Sequence, residues 1–310
     1  MNLILIIKKI LISIIKIFKY LGNFFKKFWF VEIFNIFSQR KRLYSFTLNV
    51  LGFQPFRTWI AYKIKQKNKK KVIVDIPNDL KTLIDVFGYI KFEKAINDKK
   101  QFNDLRRECK HALDNHPNRN YVDDKDAGYI WVHLSSNGLE SYPAIKKFIL
   151  SDLADLFFNL SIYNQCQKIS FDEIEFNLHR VWTQKGYEKE RNQELHTDIF
   201  HPSTKGWLYL DDIDYYDGPL VFVPKSNRID SWRLKFEYKS SLLSKKSSGS
   251  WRITKKDFNK KFNNEEYLVV KKNTMIIADT MGFHRRGDVD NNKPRDTIHF
   301  SVRKSPFIFY

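Results

Sequence analysis

Three side chains in this 310-residue sequence have the types and the spacing of a metal site. His196 and Asp198 flank one threonine in the segment ELHTDIFH. On a β-strand, side chains i and i+2 project from the same face, so this imidazole and this carboxylate can reach one ion. His284 supplies a third ligand, because it follows the apolar run 275–278 and precedes polar loop residues. Two histidines and one carboxylate leave coordination positions open, as in non-haem Fe(II) oxygenases.

An anion site is predicted beside these ligands. Arg295 begins an alternating run, RDTIHFSV, that is typical of a strand, and Arg295 and Thr297 would share one face of it. A guanidinium and a hydroxyl on one face can hold a carboxylate through paired hydrogen bonds at a fixed distance from the metal. An iron enzyme that uses 2-oxoglutarate needs such a group.

The order of these motifs resembles the phytanoyl-CoA dioxygenase family of Fe(II)/2-oxoglutarate oxygenases, over roughly residues 174–302. The matching segments are HTD, WLYLDDIDYYDGPLVFVPKSNR, NTMIIADTMGFHRRG and RDT. The resemblance implies that His196, Asp198 and His284 bind Fe(II). It also implies that Arg295 and Thr297 bind the distal carboxylate of 2-oxoglutarate, with O2 as the second cosubstrate.

The sequence departs from the family pattern in two turns. DGPL and PKSNR stand where the family has Asn-Gly-Pro-Leu and Pro-Gly-Ser-His, and they differ at Asp217, Lys225 and Asn227. These departures touch turns rather than ligands. Asp198 is present, whereas related halogenases have a small residue there that leaves room for halide. Hydroxylation of a C–H bond is therefore the reaction that the resemblance implies.

The resemblance also implies a mainly β fold with flanking helices (α+β), whose core is a double-stranded β-helix, the jelly-roll or cupin-like pair of antiparallel sheets. The strand 174–182 would precede the HTD strand. Successive side chains of this strand project from opposite faces, and this pattern alone leaves open whether Asn177 and His179, or Arg180 and Trp182, face the cavity.

Further elements are predicted outside this core. Helices are expected at 91–115 and 143–160, with a strand at 129–134 between them. His201 stands before a proline, so it is expected in a loop and not as a ligand. The two cysteines, Cys109 and Cys166, are expected to be buried thiols in a reducing compartment.

Charge divides the chain into three predicted parts. The formal net charge is +19, and residues 1–71 carry 16 Lys and Arg against one acid, Glu32. We expect an amphipathic membrane-interface helix at 1–37, a basic helical linker at 38–71 and the oxygenase domain at 72–310. Within that domain, the core spans 174–303 and a Ser- and Lys-rich insertion spans 229–266. The insertion is expected to be either a mobile lid that grips an acidic substrate or a solvated loop.

Residues 1–37 have no uncharged stretch near the roughly 18 residues that a spanning helix requires. On a helical wheel, apolar side chains cover most of the surface and the lysines fall in one sector. These lysines are Lys8, Lys9, Lys16, Lys19, Lys26 and Lys27. Such a helix fits the plane of a membrane interface, so the protein is expected to be cytoplasmic and peripheral on the inner face of the membrane. A docked helix, a signal peptide and a tilted spanning helix are the alternatives.

An enzyme held at an anionic membrane surface is expected to act on a substrate held there too. An acidic glycolipid or lipid-linked sugar is the leading expectation, by analogy with the Kdo hydroxylases. A soluble acyl-CoA or small metabolite is the main alternative. A nucleic-acid demethylase is less favoured, and no nucleic acid is expected as a partner, because the positive charge is interleaved with aliphatic residues outside the catalytic region. A non-catalytic binding module is expected to have lost a ligand, and none is missing.

Overall fold

The computed structural model describes residues 42–43, 45–124, 127–134, 140–183, 194–243, 250–289 and 293–307. The predicted helix at 1–37 lies outside them. The strands in chain order are β1 Tyr89–Phe92, β2 Asn120–Asp124, β3 Ala127–His133, β4 Glu175–Thr183, β5 His196–Thr197, β6 Thr204–Tyr209, β7 Leu220–Phe222, β8 Trp251–Arg252, β9 Glu266–Leu268, β10 Thr274–Asp279, β11 His284–Arg286 and β12 Arg295–Val302. The α-helices are α1 Phe46–Val50, α2 Phe53–Lys69, α3 Asn78–Val86, α4 Lys99–Asn115, α5 Pro143–Ile149, α6 Asp152–Gln165, α7 Ser231–Leu243 and α8 Lys255–Asn259.

The strands form two antiparallel sheets. The larger sheet has the order β1-β10-β6-β12-β4-β3-β2, and the smaller sheet has the order β8-β5-β11-β7-β9. From β4 to β7 the chain alternates between the larger and the smaller sheet. β8 and β9 stay in the smaller sheet, and β10, β11 and β12 alternate again. This connectivity is consistent with the predicted jelly roll. β1, β2 and β3 extend the larger sheet beyond the predicted core.

Alternation along β10 separates two hydrophobic clusters. Met275 and Ile277 pack with the side chains of α4, α5 and α6 on the outer face of the larger sheet. Ile276 and Ala278 point the other way and pack with Phe222 of β7, between the two sheets. The two sheets therefore face each other, and most of the side chains that line the cavity between them are polar or charged.

Two predicted helices differ from the observed ones. The helix predicted at 91–115 is shorter, because its first residues pair with β10 as part of β1 and because α4 begins after Asp98, whose carboxylate caps the first turn. The helix predicted at 143–160 is two helices, α5 and α6. The chain leaves the helical conformation at Ser151, whose hydroxyl donates to the carbonyl of Phe148. The strand predicted at 129–134 is confirmed over 129–133 as part of β3, which ends at His133.

The basic linker predicted at 38–71 is helical over most of its described part. It contains the short helix α1 and the longer helix α2. Gly52 separates them with a φ of 81°, a left-handed conformation that glycine adopts without steric cost. Within the described residues, no helix combines the length and the apolar character needed to cross a bilayer.

The insertion at 229–266 is folded where the structure describes it, which excludes residues 244–249. α7 packs against α1 and α2. The aromatic rings of Trp232, Phe236 and Phe262 pack around Phe283, in a cluster that also contains Val223 beside β7. The described part is therefore not the solvated loop considered above, because aromatic residues among the serines and lysines anchor it to the smaller sheet.

Candidate metal centre

The smaller sheet brings the three predicted metal ligands together. His196 opens β5, His284 opens β11, and the two residues are directly paired across these antiparallel strands. Asp198 follows β5, where its N–H donates to the carbonyl of Thr280. The Nε2 atoms of His196 and His284 lie 3.9 and 3.8 Å from Oδ1 of Asp198. All three side chains are buried, and their ligand atoms lie within 4.8 Å of one another.

Hydrogen bonds orient both imidazoles toward this shared point. Nδ1 of His196 donates to the carbonyl of Glu194 at 2.8 Å, and Nδ1 of His284 donates to the carbonyl of Gly282 at 3.0 Å. Because a carbonyl oxygen can only accept, each Nδ1 carries the proton and each Nε2 presents its lone pair. Burial, and then the nearby imidazole of His284, lower the pKa of His196 to about 3. Both features favour neutral rings that can bind a cation.

Lys205 adds a cation to the surroundings of the centre. It belongs to β6, and its Nζ lies 2.7 Å from Oδ2 of Asp198. Burial alone would raise the pKa of Asp198, but the ammonium of Lys205 holds it well below its usual range. The ionised carboxylate keeps Oδ1 on the side of the histidines. Two imidazole nitrogens and one carboxylate oxygen are the donor set that suits Fe(II).

His201 is separate from this centre. It is fully buried, and its Nδ1 donates to the carbonyl of Pro202 at 3.0 Å. Among the described residues, the group able to hold a metal consists of His196, Asp198 and His284 and does not include His201.

A cavity of about 440 Å³ lies beside the centre. His196 and His284 contribute to its wall, together with the cationic side chains of Lys205, Arg286 and Arg295. No Asp or Glu is among the described residues that line it. A cavity of this size and charge suits a small dianion such as 2-oxoglutarate.

Arg295 has the placement predicted for it at the start of β12. One of its N–H groups donates to the carbonyl of Gly218, while its buried Nε has no hydrogen-bond partner among the described residues. Burial lowers the pKa of Arg295. Thr297 lies opposite His179 and Tyr209 in the neighbouring strands. Thr297 is buried, but the wall that the described residues form includes Tyr209 and not Thr297.

The contacts of β4 decide which of its faces lines the cavity. His179 is in the wall, so the face of Asn177 and His179 is the inner one. Arg180 points outward and pairs with a carboxylate of β12 at 2.8 Å, and Trp182 packs against the outer cluster. His179 stacks on His299 of β12, with ring centroids 4.5 Å apart. Burial and nearby cations lower the pKa of His179 to about 3, so this ring is a neutral hydrogen-bonding group.

Sequence reasoning missed several residues of this wall, and four of them matter most here: Lys205, Arg286, Tyr129 and His299. Two of them carried a local signal. Arg286 follows His284 by two residues, and His299 follows Arg295 by four, so strand alternation places both on the cavity face. Tyr129 carried none, because its hydroxyl reaches Nε2 of His179, at 2.9 Å, only through pairing of β3 with β4.

A second cluster of buried charge lies behind β5. Arg42 donates to the carbonyl of Asp198 at 2.9 Å and pairs with Glu237 of α7 at 3.3 Å. Arg233 pairs with the same carboxylate at 3.2 Å and donates to Oγ1 of Thr197 at 3.0 Å. Arg42, Arg233 and Glu237 are at most 1% exposed. Thr197 points away from the cavity because it alternates with the two ligands, so this rear cluster holds the metal-bearing segment from the opposite side.

Comparison with known proteins gives structural likenesses. No protein-family model matches the chain, and no curated protein matches it. Similar solved structures include the epimerase SnoN in complex with Fe3+, alpha ketoglutarate and nogalamycin RO, at 11% identity over 72% of this chain and 82% of that chain, with a TM-score of 0.49. HygX from Streptomyces hygroscopicus, with nickel, 2-oxoglutarate and hygromycin B bound, is 14% identical over 73% of this chain and 86% of that chain, with a TM-score of 0.44. AviO1 from Streptomyces viridochromogenes Tue57 is 12% identical over 75% and 97%, with a TM-score of 0.44. Membership of the phytanoyl-CoA dioxygenase family stays a prediction.

Proposed function

We propose that this chain is an Fe(II)/2-oxoglutarate-dependent oxygenase that hydroxylates a C–H bond. The observation that carries the proposal is the convergence of two imidazole Nε2 atoms and one carboxylate oxygen on one point, beside a cavity with a cationic wall. When bound, the iron and its cosubstrate supply the oxidising chemistry, in which one atom of O2 enters the substrate and the other enters succinate, formed with CO2 from 2-oxoglutarate.

The protein's own side chains have distinct tasks in this proposal. His196, Asp198 and His284 hold the metal, and the two backbone carbonyls behind the imidazoles fix the rings in the binding tautomer. Lys205 balances the charge of the outer carboxylate oxygen. Arg295 binds the distal carboxylate of 2-oxoglutarate through charge-assisted hydrogen bonds, for which its buried Nε–H is available. Thr297, two residues further along the same strand, assists the binding of this carboxylate.

We further propose that the substrate is an acidic, membrane-associated molecule such as a glycolipid or a lipid-linked sugar. The strongly basic residues 1–71 support this choice, because they favour an anionic surface where such a substrate is concentrated. The second candidate is a soluble acyl-CoA or small acidic metabolite, which the cationic cavity wall favours equally.

The substrate class can be tested with host extracts. The full chain is incubated with Fe(II), 2-oxoglutarate and either the lipid extract or the soluble metabolites, and products are screened for a mass gain of one oxygen. We expect the gain in the lipid fraction, dependent on 2-oxoglutarate and absent with the His284→Ala variant. Oxidation confined to soluble acyl-CoA would contradict the glycolipid proposal and leave the oxygenase proposal standing.

We propose that the protein is peripheral on the cytoplasmic face of a membrane, attached by residues 1–37. The apolar surface of this segment favours burial that salt does not weaken, and the basic linker adds attraction that salt screens. Vesicle flotation should show binding that strengthens with anionic lipid and falls on deletion of residues 1–37. Equal binding by the deletion variant would contradict this attachment.

A further inference from the structure

The longest described helix near the N-terminus, α2, turns its polar side chains inward. Its buried positions are mostly polar or charged: Gln54, Arg57, Thr58, Ala61 and Lys65. Its exposed positions include two large aromatic side chains, Phe56 at 45% and Trp59 at 42% exposure. A surface helix of a globular protein normally shows the reverse pattern. The apolar character of the outer face is therefore not explained by packing within the domain.

Exposed apolar side chains continue from α2 onto α1. The apolar patch consists of Phe46, Val50, Leu51, Phe56 and Trp59. Phe46 and Leu51 are each 61% exposed. Phe53 connects the two helices, because it packs against buried leucines at α1 and meets Phe56 edge to face. Phe56 in turn stacks on Trp59, with centroids 6.1 Å apart. Contiguous exposed patches of this kind mark interaction surfaces.

Lysines extend the same face of α2. Lys63, Lys67 and Lys70 are exposed and follow Trp59 at intervals of three to four residues, the helical repeat. Nζ of Lys63 lies 5.8 Å from the ring centroid of Trp59. Residues 45–71 contain no Asp or Glu. The partner of this face must therefore offer both an apolar region and negative charge.

We propose that the apolar patch and these three lysines form a second membrane-contact surface, built into the folded domain and separate from residues 1–37. The patch enters the interface of an anionic bilayer, and the lysines reach the lipid phosphates. This inference deepens the proposed membrane attachment. A second copy of the chain would bring like charges together, since the segment has no acid to oppose them. A nucleic acid would leave the aliphatic Val50 and Leu51 without a partner.

The proposed surface is connected to the metal centre by the rear cluster. Arg42, which precedes α1, hydrogen-bonds to the backbone of Asp198, and α7, which packs on α1 and α2, carries Arg233 and Glu237. A bilayer in contact with α1 and α2 would therefore lie against the helices that support β5.

The test is flotation of the full chain with vesicles of phosphatidylcholine, with and without phosphatidylglycerol. The background variant carries Ile7→Asp, Ile14→Asp and Phe18→Asp, which place charges on the predicted apolar face of residues 1–37 and weaken its binding. The further loss caused by each patch change then reports the patch. Adding Phe56→Glu and Trp59→Glu should lower the partition coefficient at least about tenfold, because burial of two aromatic side chains is lost. Replacing Lys63, Lys67 and Lys70 by Gln should lower it a few-fold per lysine, on anionic vesicles alone.

The matched control is Leu150→Glu, which changes a side chain that is 71% exposed on the turn between α5 and α6 and should leave flotation unchanged. Should the Phe56 and Trp59 pair unfold the chain, Phe46→Glu with Leu51→Glu provides the same comparison at more exposed positions. Equal flotation of the patch variants and the background would overturn the proposal. Two other partners would also overturn it: a second copy of the chain, if the patch changes dissociate a dimer, and RNA, if the lysine changes abolish RNA binding. If the patch changes and deletion of residues 1–37 lower the melting temperature equally, the patch is covered by residues 1–37 and the proposal is again overturned.

A visible Fe(II)–2-oxoglutarate absorption band, kept in all these variants, reports the oxygenase site independently of flotation.

Discussion

The two sides of β5 carry buried charge in different arrangements. Behind the strand, Arg42 and Arg233 converge on Glu237, and each guanidinium also donates to β5 or to the residue after it. In front, Lys205 and Arg295 line a cavity of about 440 Å³ in which no described carboxylate forms the wall. A buried charge costs free energy unless a partner compensates it. In the rear cluster, Glu237 is the counter-charge of both guanidinium groups, and oxygens of Thr197 and Asp198 also accept hydrogen bonds from them, so we interpret this cluster as structural. Lys205 and Arg295 are the front group. Lys205 pairs with Asp198, whereas no described carboxylate pairs with Arg295, and our proposal assigns this cation to 2-oxoglutarate.

The largest expected effect is on the rear cluster. Glu237→Gln removes the counter-charge of two fully buried guanidinium groups, so we expect the free energy of unfolding to fall by about 3–5 kcal/mol. Urea denaturation of the full chain measures it. The control is Asp257→Asn, which removes the exposed ion pair with Lys239 and should cost less than about 1 kcal/mol. Equal losses in the two variants would show that the rear cluster does not stabilise the fold.

A smaller effect is expected from the front group, and on a different quantity. Arg295→Ala should weaken 2-oxoglutarate binding by about 1.5–3 kcal/mol, or roughly 10- to 150-fold, because charge-assisted hydrogen bonds to the carboxylate are lost. Anaerobic calorimetry with Fe(II) present measures this, and the affinity for iron should not change. Arg303→Ala, near the other end of β12, is the matched control and should bind 2-oxoglutarate normally. Loss of iron with normal 2-oxoglutarate binding would assign Arg295 another role.

Thr297 distinguishes the family resemblance from the geometry. The resemblance implies that the Thr297 hydroxyl binds the distal carboxylate of 2-oxoglutarate, whereas the cavity wall formed by the described residues does not include Thr297. Thr297→Val should therefore weaken 2-oxoglutarate binding by less than about 1 kcal/mol, or about fivefold. The same calorimetric titration measures the change. A loss as large as that of Arg295→Ala would place the hydroxyl in direct contact with the ligand.

The smallest effect is expected on the stability of the ligand-free front group. Arg295→Leu removes a buried cation whose Nε has no partner among the described residues, so the free energy of unfolding should stay equal or rise. Urea denaturation without 2-oxoglutarate measures it, and Glu237→Gln is the contrasting variant. A loss of about 3 kcal/mol or more would mean that Arg295 is structural and would remove the contrast between the two sides of β5.

The sequence predicted the front of β5 far better than its rear. The spacing of His196 and Asp198 is a local signal, and the strand alternation at Arg295 and Thr297 is another. The pairing of Arg42 with Glu237 spans 195 residues, and neither residue has a local pattern that marks it. Arg42 stands in the predicted basic linker and Arg233 in the predicted insertion, and the composition of neither segment indicates a buried cation.

The errors in the secondary structure have a similar origin. The range 91–115 has helical character throughout, but its first residues lie in β1 because the exposed edge of β10 offers them backbone hydrogen bonds. The insertion was interpreted from its serines and lysines, whereas five aromatic residues decide its packing: Trp232, Phe236, Trp251, Phe258 and Phe262. Tertiary partners that lie far away in sequence override local composition in both cases.

The central claim is that His196, Asp198 and His284 form an Fe(II) site that also receives 2-oxoglutarate. The most direct measurement is an anaerobic titration of the full chain with Fe(II) and 2-oxoglutarate, followed by visible absorption. We predict a weak charge-transfer band for the wild type and its loss in His196→Ala, Asp198→Ala and His284→Ala, each of which should remain folded by circular dichroism. A band of unchanged intensity in all three variants would contradict the assignment of the metal centre.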